Sequence, residues 1–308
     1  MANAKAGRRA RIDALGYEYA SQPSRPVTAC NLCGHAVFTV VAHRDRYGYP
    51  ARAVSCRACG LTCISPVMTP EAYTNFYVGV YRPLVSAFHG RLIDAQTIQA
   101  EQRDYAVERG ELLEPFIAGR GFKTMLDIGG STGVVAHAFA SRFGLEGTVI
   151  DPSPLEIEEA QKLGLATITG FVEDYKPGGQ TFDVVFMAQT VDHLLDIGGA
   201  LRAIRNLIRP DGVFFVDIVD FRAAYLRNWS VEDAVKIDHP YYLTQATMEA
   251  YLARAGFDIS RVDYAADHLH VSYVCRPGAP RPDAVPESAA VQRFFEELRT
   301  VHNAPRPA

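Results

Sequence analysis

Apolar and polar positions form two kinds of pattern along residues 121–276, and each pattern predicts one kind of secondary-structure element. Short apolar runs bounded by glycine or polar residues are typical of buried strands, whereas apolar positions that recur every three or four residues are typical of helices. The short runs predict strands at 124–128, 147–151, 166–169, 182–187, 213–218, 258–264 and 269–275. The helical period predicts helices over 132–142, 154–163, 197–208 and 245–255.

The order of these elements predicts the fold class. Strands that alternate with helices pair in parallel and place helices on both faces of the sheet, so 121–276 is expected to be an α/β domain with a doubly wound sheet. The last two predicted strands follow one another without a helix between them. That arrangement indicates an antiparallel hairpin at one edge of the sheet.

The flanking regions have different patterns. Residues 1–25 are predicted to be a flexible tail, since their basic cluster "KAGRRAR" is typical of a solvated terminus. Residues 67–120 have a helical period and form a predicted helical connector. Residues 277–308 are a Pro-rich tail with a predicted helix over 288–302. The connector residues expected to point inward are Leu92, Ile98, Tyr105, Leu112 and Phe116.

Composition narrows the class of protein. The chain has 308 residues, a formal net charge of −4, 48% hydrophobic and 21% charged residues, which is ordinary for a globular protein. This charge gives no general attraction to nucleic acid. No apolar run approaches the roughly 20 residues that span a bilayer, and the N-terminus lacks a signal-peptide core. We therefore expect a cytoplasmic protein.

The cysteines are clustered near the N-terminus. Two C-x-x-C pairs, Cys30 with Cys33 and Cys56 with Cys59, are each followed by a glycine. Two such pairs supply four thiolates to one tetrahedral Zn²⁺, so residues 26–66 are predicted to be a zinc-binding module stabilised by its metal. Four sulfur ligands close the coordination shell, which makes this zinc structural. Cys63 is interpreted as a bystander and Cys275 as a buried strand thiol.

A glycine-rich turn, "DIGGSTG" at 127–133, follows the first strand of the predicted sheet. Glycines at the carboxyl end of a strand let a ligand approach the backbone, and the following helix offers free N–H groups. The G-x-G-x-x-G pattern of dinucleotide binding is absent. The second strand ends at Asp151, whose carboxylate can accept hydrogen bonds from two ribose hydroxyls. The turn is therefore predicted to hold a ligand close to its backbone.

The sequence Asp127-x-Gly129-x-Ser131-x-Gly133 resembles motif I of the class I S-adenosylmethionine-dependent methyltransferases, usually D/E-x-G-x-G-x-G. The later segments "TGFVEDY", "FDVVFMAQTVDHLLD" and "LIRPDGVFFV" are similar to that family in the same order. The resemblance implies a Rossmann-like seven-stranded methyltransferase sheet and S-adenosylmethionine as cofactor. The cofactor-binding residues that it implies are Asp127, Gly129, Gly130, Ser131, Gly133, Asp151, Phe171, Val172, Ala188 and Gln189.

The cysteine pairs, the segment "NFYVGVYR" and this core together resemble bacterial sugar methyltransferases, above all the deoxysugar C-methyltransferases that act on nucleotide-linked keto-sugars. The segment "KIDHPYYLTQATMEAYLARAGF" is similar to the D/E-H-x-x-x-(F/L)-(S/T) pattern of that group. The chain departs from the group in ending at residue 308, where those enzymes have a further domain, and in reading His268-Leu269-His270 in place of H-G-G. These departures favour O-methylation of a sugar slightly over C-methylation.

The resemblance also implies site residues. The catalytic histidine of the group matches His193, and an imidazole that titrates near neutrality suits a general base. A purely structural role, packing the cofactor or bonding backbone, is the alternative for His193. Asp192 is predicted to orient His193, with capping of the next helix as the alternative. The substrate-binding candidates, for which a core or turn position is the alternative, are Tyr77, Tyr81, Arg82, His239, His268 and His270.

Two other classes of function stay open at this point. Some ribosomal RNA methyltransferases also combine a zinc module with this fold, although the net charge of −4 and the lack of a Lys/Arg stripe disfavour RNA. A non-catalytic cofactor-binding scaffold is the second alternative, and Ser131 in motif I is its support. The expected partner is a sugar-containing small molecule or a glycan, without nucleic acid or membrane. Whether the protein forms a homodimer is left open.

Overall fold

The structure is a computed structural model that describes residues 2–175 and 178–303. Its strands are β1 Ser24–Arg25, β2 Phe38–Ala42, β3 Ala53–Cys56, β4 Thr62–Ile64, β5 Val67–Met68, β6 Thr124–Ile128, β7 Glu146–Asp151, β8 Ala166–Thr169, β9 Phe182–Met187, β10 Ile208–Val219, β11 Tyr241–Tyr242, β12 Phe257–Tyr264 and β13 His270–Pro277. Its α-helices are α1 Ala2–Asp13, α2 Pro70–Gly79, α3 Tyr81–His89, α4 Gln99–Ile117, α5 Val134–Phe143, α6 Pro154–Lys162, α7 Ile197–Leu207, α8 Phe221–Asn228, α9 Gln245–Ala255 and α10 Ser288–Asn303. None of these helices is both long and apolar enough to cross a membrane.

The central sheet has seven strands in the order β12-β13-β10-β9-β6-β7-β8. Strands β6 to β10 run parallel, whereas β13 pairs antiparallel with both β10 and β12. The predicted Rossmann-like sheet with an antiparallel edge hairpin is therefore confirmed. Every residue of β9 is buried, as expected for a parallel strand that is covered on both faces.

Strand order reverses between β6 and β9, because β7 and β8 lie on one side of β6 while β9 and β10 lie on the other. Ligands of doubly wound sheets bind in the crevice that such a reversal opens at the carboxyl ends of the strands. The turn at 127–133 follows β6 and the loop at 188–193 follows β9. Both segments therefore border this crevice.

Helix α4 of the connector packs against the core, and the predicted inward residues Tyr105, Leu112 and Phe116 are half-buried there. Its buried residues are Ala106, Arg109, Gly110, Leu113 and Ile117. Leu92, which was expected to point inward, is 66% exposed and lies before the helix begins. Arg109, which was not among the predicted residues, is also buried, with its guanidinium over the Tyr105 ring and only 2% of the residue exposed.

The cysteine module, residues 26–66, does not form its sheet alone. Strands β2, β3 and β4 form an antiparallel sheet whose edge is completed by β11 of the core region, in the order β11-β4-β3-β2. In the register of this pairing, Tyr241 lies opposite Cys63 and Tyr242 lies opposite Thr62. The module and the core region are therefore joined by backbone hydrogen bonds.

The N-terminal segment differs from the predicted flexible tail. Helix α1 covers the whole basic cluster, and Ile12 of this helix is buried. Arg9 donates a hydrogen bond to the carbonyl of Tyr47 at 3.2 Å, and Arg11 donates one to the carbonyl of Ala87 at 2.8 Å. These guanidinium contacts fix the helix against the cysteine module and α3.

The C-terminal region contains helix α10, which packs against α8. Arg222 forms an ion pair with Glu297 at 2.7 Å, and the Tyr225 hydroxyl donates to the same carboxylate at 3.0 Å. Residues 304–308 of the predicted tail lie outside the described residues.

Candidate active site

The glycine turn after β6 is tightly packed. Gly129 and Gly133 have φ angles of 69° and 74°, which glycine adopts without strain. A Cβ atom at Gly129 would lie 2.4 Å from Thr190 Oγ1, and one at Gly133 would lie 2.7 Å from Ala160 Cβ. The two glycines therefore allow the loop after β9 and helix α6 to approach the turn closely.

Ser131 occupies the tip of this turn with a φ of 51°, the left-handed conformation that a glycine would favour. Its backbone N–H donates to Asp151 Oδ2 at 3.0 Å. The next residue, Thr132, donates its hydroxyl to Gln102 Oε1 on α4 at 2.6 Å. The turn is thus held from β7 on one side and from the helical connector on the other.

Two carboxyl groups, Asp127 and Asp151, lie at the ends of the neighbouring strands β6 and β7. Burial, followed by the nearby Asp151 and Asp217 charges, raises the pKa of Asp127 to about 7. Burial and the Glu156 charge raise the pKa of Asp151 to about 6. Among the described residues, the buried Asp127 Oδ1 atom has no hydrogen-bond partner. These groups fit a ligand that carries hydroxyls and positive charge, as S-adenosylmethionine does.

The remaining predicted cofactor residues lie at the same edge of the sheet. Phe171 and Val172 follow β8, where the Phe171 side chain is 40% exposed and Val172 is buried. Ala188 and Gln189 follow β9, and the Gln189 N–H donates to Asp217 Oδ1. Asp217 is a buried carboxylate that the sequence analysis missed, and its other oxygen accepts from the Tyr105 hydroxyl at 2.7 Å.

His193 follows β9 in a 3₁₀ turn, Val191–His193, and its ring is half-buried. Its Nδ1 lies 3.1 Å from the carbonyl oxygen of Asp238, and the Tyr77 hydroxyl contacts both groups. Because a carbonyl oxygen only accepts hydrogen bonds, this contact places the proton of His193 on Nδ1 and leaves a lone pair on Nε2. Burial, followed by the neighbouring His239, lowers the pKa of His193 to about 4, so the ring is neutral near pH 7.

His239 lies beside His193, with 4.3 Å between the ring centroids. Its Nδ1 is 2.7 Å from Asp192 Oδ2, and its Nε2 is 3.1 Å from Lys236 Nζ. Burial acts to raise the pKa of Asp192, but the facing His239 outweighs it and holds that pKa below its ordinary value. The structure therefore pairs Asp192 with His239, whereas the sequence analysis paired it with His193.

The side chains that surround His193 and His239 form a group that we call the histidine cluster. Two further residues of the histidine cluster were missed by the sequence analysis. Lys236 is half-buried and contacts His239 through its ammonium group, and loss of solvent around that group lowers the pKa of Lys236. Asp238 contributes its backbone carbonyl, which accepts hydrogen bonds from the hydroxyls of Tyr73 and Tyr77. A backbone carbonyl has no residue-type signature, so only the acidic residue next to His239 could have pointed to this position.

The other predicted substrate residues divide into two groups. Tyr81 packs edge-on against His193, with 6.2 Å between the ring centroids, and thus belongs to the cluster. Arg82 forms an ion pair with Glu156 of α6 at 2.6 Å instead of extending freely into the crevice.

His268 and His270, the last two substrate-binding candidates, lie in different surroundings. His268 is exposed in the turn before β13 with a φ of 54°, whereas His270 contacts Asp267 at 2.7 Å. The described contacts join neither histidine to His193. The predicted strand began too early because the hairpin turn extends through residue 269.

The four predicted metal ligands lie together in the cysteine module. The sulfur atoms of Cys30, Cys33, Cys56 and Cys59 are all within 4.8 Å of one another. The Cys30–Cys59 and Cys33–Cys56 sulfur distances are 3.5 and 3.6 Å. Zn–S bonds of about 2.3 Å give tetrahedral S–S separations of roughly 3.8 Å, so these residues fit one zinc ion.

A comparison with protein families agrees with this fold. The family described as "Methyltransferase domain" matches residues 99–262, just over half of the chain. The chain therefore belongs to the methyltransferase domain family.

The two individual relatives that follow are less than 30% identical to this chain. The ubiquinone biosynthesis O-methyltransferase of Azorhizobium caulinodans is 29% identical over 156 residues, which cover 45% of this chain and 60% of that protein. The C-methyltransferase NovU of Streptomyces niveus is 24% identical over 269 residues, which cover 79% of this chain and 59% of that protein. The chain thus spans 60% or less of the length of these two relatives.

Solved structures share the fold. One example is the complex between the Haloferax volcanii Trm112 methyltransferase activator and a methyltransferase, with a TM-score of 0.51 and 15% identity. The match covers 61% of this chain and 94% of the other chain.

Proposed function

We propose that the protein transfers a methyl group from S-adenosylmethionine to a hydroxyl oxygen of a sugar, either nucleotide-linked, part of a glycan or part of an antibiotic. The observation that carries this proposal is the position of His193. It is a neutral imidazole with an available Nε2, and it follows β9 at the same sheet edge as Asp127 and Asp151. The proposed cofactor-binding residues and the proposed base thus lie at the same end of the parallel strands.

The cofactor is held in this proposal by the turn after β6 and the end of β7. Asp151 accepts hydrogen bonds from the ribose hydroxyls, which suits a carboxylate at a strand end. Asp127 offers a buried oxygen that has no partner among the described residues, and a cationic ligand favours its charged form. When bound, S-adenosylmethionine supplies an activated methyl group on a positively charged sulfur.

His193 acts in this proposal as the general base. Its Nε2 accepts the proton of the acceptor hydroxyl while the oxygen is methylated. The Asp238 carbonyl and the Tyr77 hydroxyl hold the ring by Nδ1, so the lone pair on Nε2 keeps one direction. The Asp192 carboxylate lies next to His239 and favours the positive charge that develops on the neighbouring ring.

His239 is less suited to take the acceptor proton. Both of its nitrogens have partners within the protein, Asp192 at Nδ1 and Lys236 at Nε2, and only 4% of the residue is exposed. We therefore assign His239 and Asp192 a supporting role beside His193.

C-methylation is the second candidate. The alignment with the C-methyltransferase NovU supports it, since that match extends over 79% of this chain. In that reaction the base removes a proton from a carbon next to a keto group, and the resulting carbanion equivalent is methylated. The acceptor therefore distinguishes the two reactions, whereas His193 serves both.

The test is a mass-spectrometric screen of purified protein with S-adenosylmethionine and a panel of nucleotide sugars, keto-sugars and sugar-bearing natural products. His193→Ala is compared with His137→Ala, which removes an exposed histidine of α5. A gain of one methyl group that His137→Ala retains and His193→Ala loses supports the proposal.

Other outcomes of this screen are equally informative. A gain that survives His193→Ala keeps the methyltransferase and rejects His193 as the base. Binding of the cofactor without methylation of any sugar contradicts the sugar acceptor, and methylation of RNA in a parallel reaction would replace it.

A further inference from the structure

The cluster around His193 depends on a short segment, residues 235–242, which we call the histidine segment. This segment carries Asp238 and His239, yet its backbone is fixed by the cysteine module. The Arg46 N–H donates to the Val235 carbonyl at 2.9 Å, and the Ile64 N–H donates to the Pro240 carbonyl at 2.9 Å. Strand β11 within the segment pairs with β4 of the module.

Asp45 makes the most direct connection between the two parts. It lies in the loop between β2 and β3, and only 4% of the residue is exposed. Its Oδ1 accepts from the N–H groups of Tyr47 at 3.1 Å and Tyr49 at 2.8 Å, which closes the loop. Its Oδ2 accepts from the Ile237 N–H at 3.1 Å. One oxygen therefore shapes the module, and the other holds the histidine segment.

The held residue is adjacent to the group that orients the base. Ile237 immediately precedes Asp238, whose carbonyl accepts from His193 Nδ1. The rigid peptide unit between Ile237 and Asp238 connects the held N–H to this carbonyl, so a displacement of Ile237 is passed to Asp238 through a short, stiff stretch of backbone. Loss of the Asp45 contact would therefore move the carbonyl that fixes the proton on His193.

We propose that Asp45 is a positioning residue for methyl transfer, and that the cysteine module serves the active site by holding the histidine segment in place. The catalytic part of this inference rests on the proposed function of His193. The mechanical part, the dependence of the two imidazoles on Asp45, stands on the contacts alone. Asp45 touches neither the cofactor turn nor His193 in the described contacts.

The test uses Asp45→Asn in the full chain. An asparagine has one acceptor oxygen, so it can serve the two tyrosine amides or Ile237 but not both. Asp94→Asn is the matched control. Asp94 also closes a local turn, since its Oδ1 accepts from the N–H groups of Gln96 at 3.0 Å and Thr97 at 2.8 Å, and it has no described contact with 235–242.

The readout is the NMR titration of the histidine Cε1–H signals, assigned with His193→Ala and His239→Ala. We expect the His193 midpoint in Asp45→Asn to move toward the ordinary imidazole value by at least about half a unit, with zinc content unchanged. Asp94→Asn should titrate as the wild type does. Once an acceptor is known, kcat should fall about tenfold with little change in KM.

Identical titrations in Asp45→Asn and wild type would overturn the inference. If Asp45→Asn does not fold, hydrogen exchange of the Ile237 amide in the wild type decides instead. Slow exchange supports the contact, and exchange at the rate of an unprotected amide overturns it. Since neither measurement needs an acceptor, a shifted titration without sugar methylation rejects the proposed acceptor while the dependence on Asp45 holds.

Discussion

Ser131 donates its backbone N–H to Asp151 Oδ2 at 3.0 Å, which joins the turn after β6 to the end of β7. The residue takes the left-handed φ of 51° although it has a side chain. The departure from the glycine of motif I therefore leaves the shape of the turn intact, and the carboxylate that is proposed to bind the ribose is fixed by the turn itself. This contact argues against a degenerate cofactor site.

Replacing Ser131 tests whether cofactor binding by the turn needs only the backbone N–H of this residue or its hydroxyl as well. We expect Ser131→Gly to bind S-adenosylhomocysteine within about threefold of wild type, because glycine keeps the N–H and favours positive φ. Ser131→Val should lower the free energy of unfolding by roughly 1–2 kcal/mol, since a β-branched residue is strained there. Calorimetry and urea denaturation measure the two effects. A tenfold loss of affinity in Ser131→Gly would show that the hydroxyl itself takes part.

The carboxylate of Asp151 should dominate ribose recognition. Asp151→Asn is expected to weaken binding of S-adenosylhomocysteine about 10- to 100-fold, because hydrogen bonds to a charged acceptor contribute roughly 1.5–3 kcal/mol. Asp183→Asn is the control. Asp183 lies at the amino end of β9, at the opposite end of the parallel strands from Asp151. Its Oδ2 accepts from the N–H groups of Lys123 and Thr124 at 2.8 and 2.9 Å. That variant should lose stability and keep affinity, and equal losses of affinity would contradict the assignment.

Binding of S-adenosylmethionine should depend on pH through Asp127. Its folded pKa of about 7 lies above the ordinary value, so the stability it contributes to the free protein is complete below about pH 4 and is lost as pH rises through 7. A cationic ligand favours the charged carboxylate, so affinity should rise as pH increases from 5.5 to 7.5, by up to about tenfold per unit. Calorimetry across this range should show proton release on binding. A flat profile in wild type, or an unchanged slope in Asp127→Asn, would contradict this role.

The sheet and the cofactor turn could be predicted because their signals are local. Buried parallel strands appear in the sequence as short apolar runs, and Asp127 and Asp151 lie at the ends of two such runs. The grouping of the four cysteines could be predicted for the same reason, since two compact C-x-x-C pairs carry them, whereas His193 was identified only through the family resemblance.

The histidine cluster could not be predicted in full because its partners come from distant parts of the chain. The contact of Tyr77 with His193 spans 116 positions, and the contact of Asp45 with Ile237 spans 192. Strand β11 has only two residues, too few for a periodic pattern. Asp192 was assigned to the adjacent His193 because sequence proximity was the only guide, whereas the turn at 191–193 directs its carboxylate to His239.

Removal of one of the four clustered cysteines should affect the active site as well as the module. We expect Cys56→Ala to lose about one zinc ion per chain and to unfold the sheet of β2, β3 and β4, because a small metal-bound module has little stability without its metal. Since β11 pairs with β4, the histidine segment should then lose its support. Elemental analysis, thermal unfolding and the His193 NMR titration measure the three consequences. Unchanged zinc content in Cys56→Ala would contradict a four-cysteine site.

Cys63→Ala distinguishes the effect of losing the metal from the effect of altered side-chain packing in the same module. Cys63 is a buried thiol on β4, opposite Tyr241, and it does not belong to the four-sulfur cluster. Its replacement should retain the zinc and cost only about 1 kcal/mol of stability, because it removes one buried atom without removing a ligand. If Cys63→Ala also loses zinc, Cys63 is a ligand and the assigned set is wrong. If it keeps zinc and shifts the His193 titration as strongly as Cys56→Ala does, packing of β4 against β11 supports the histidine segment, and the metal acts only by holding β4.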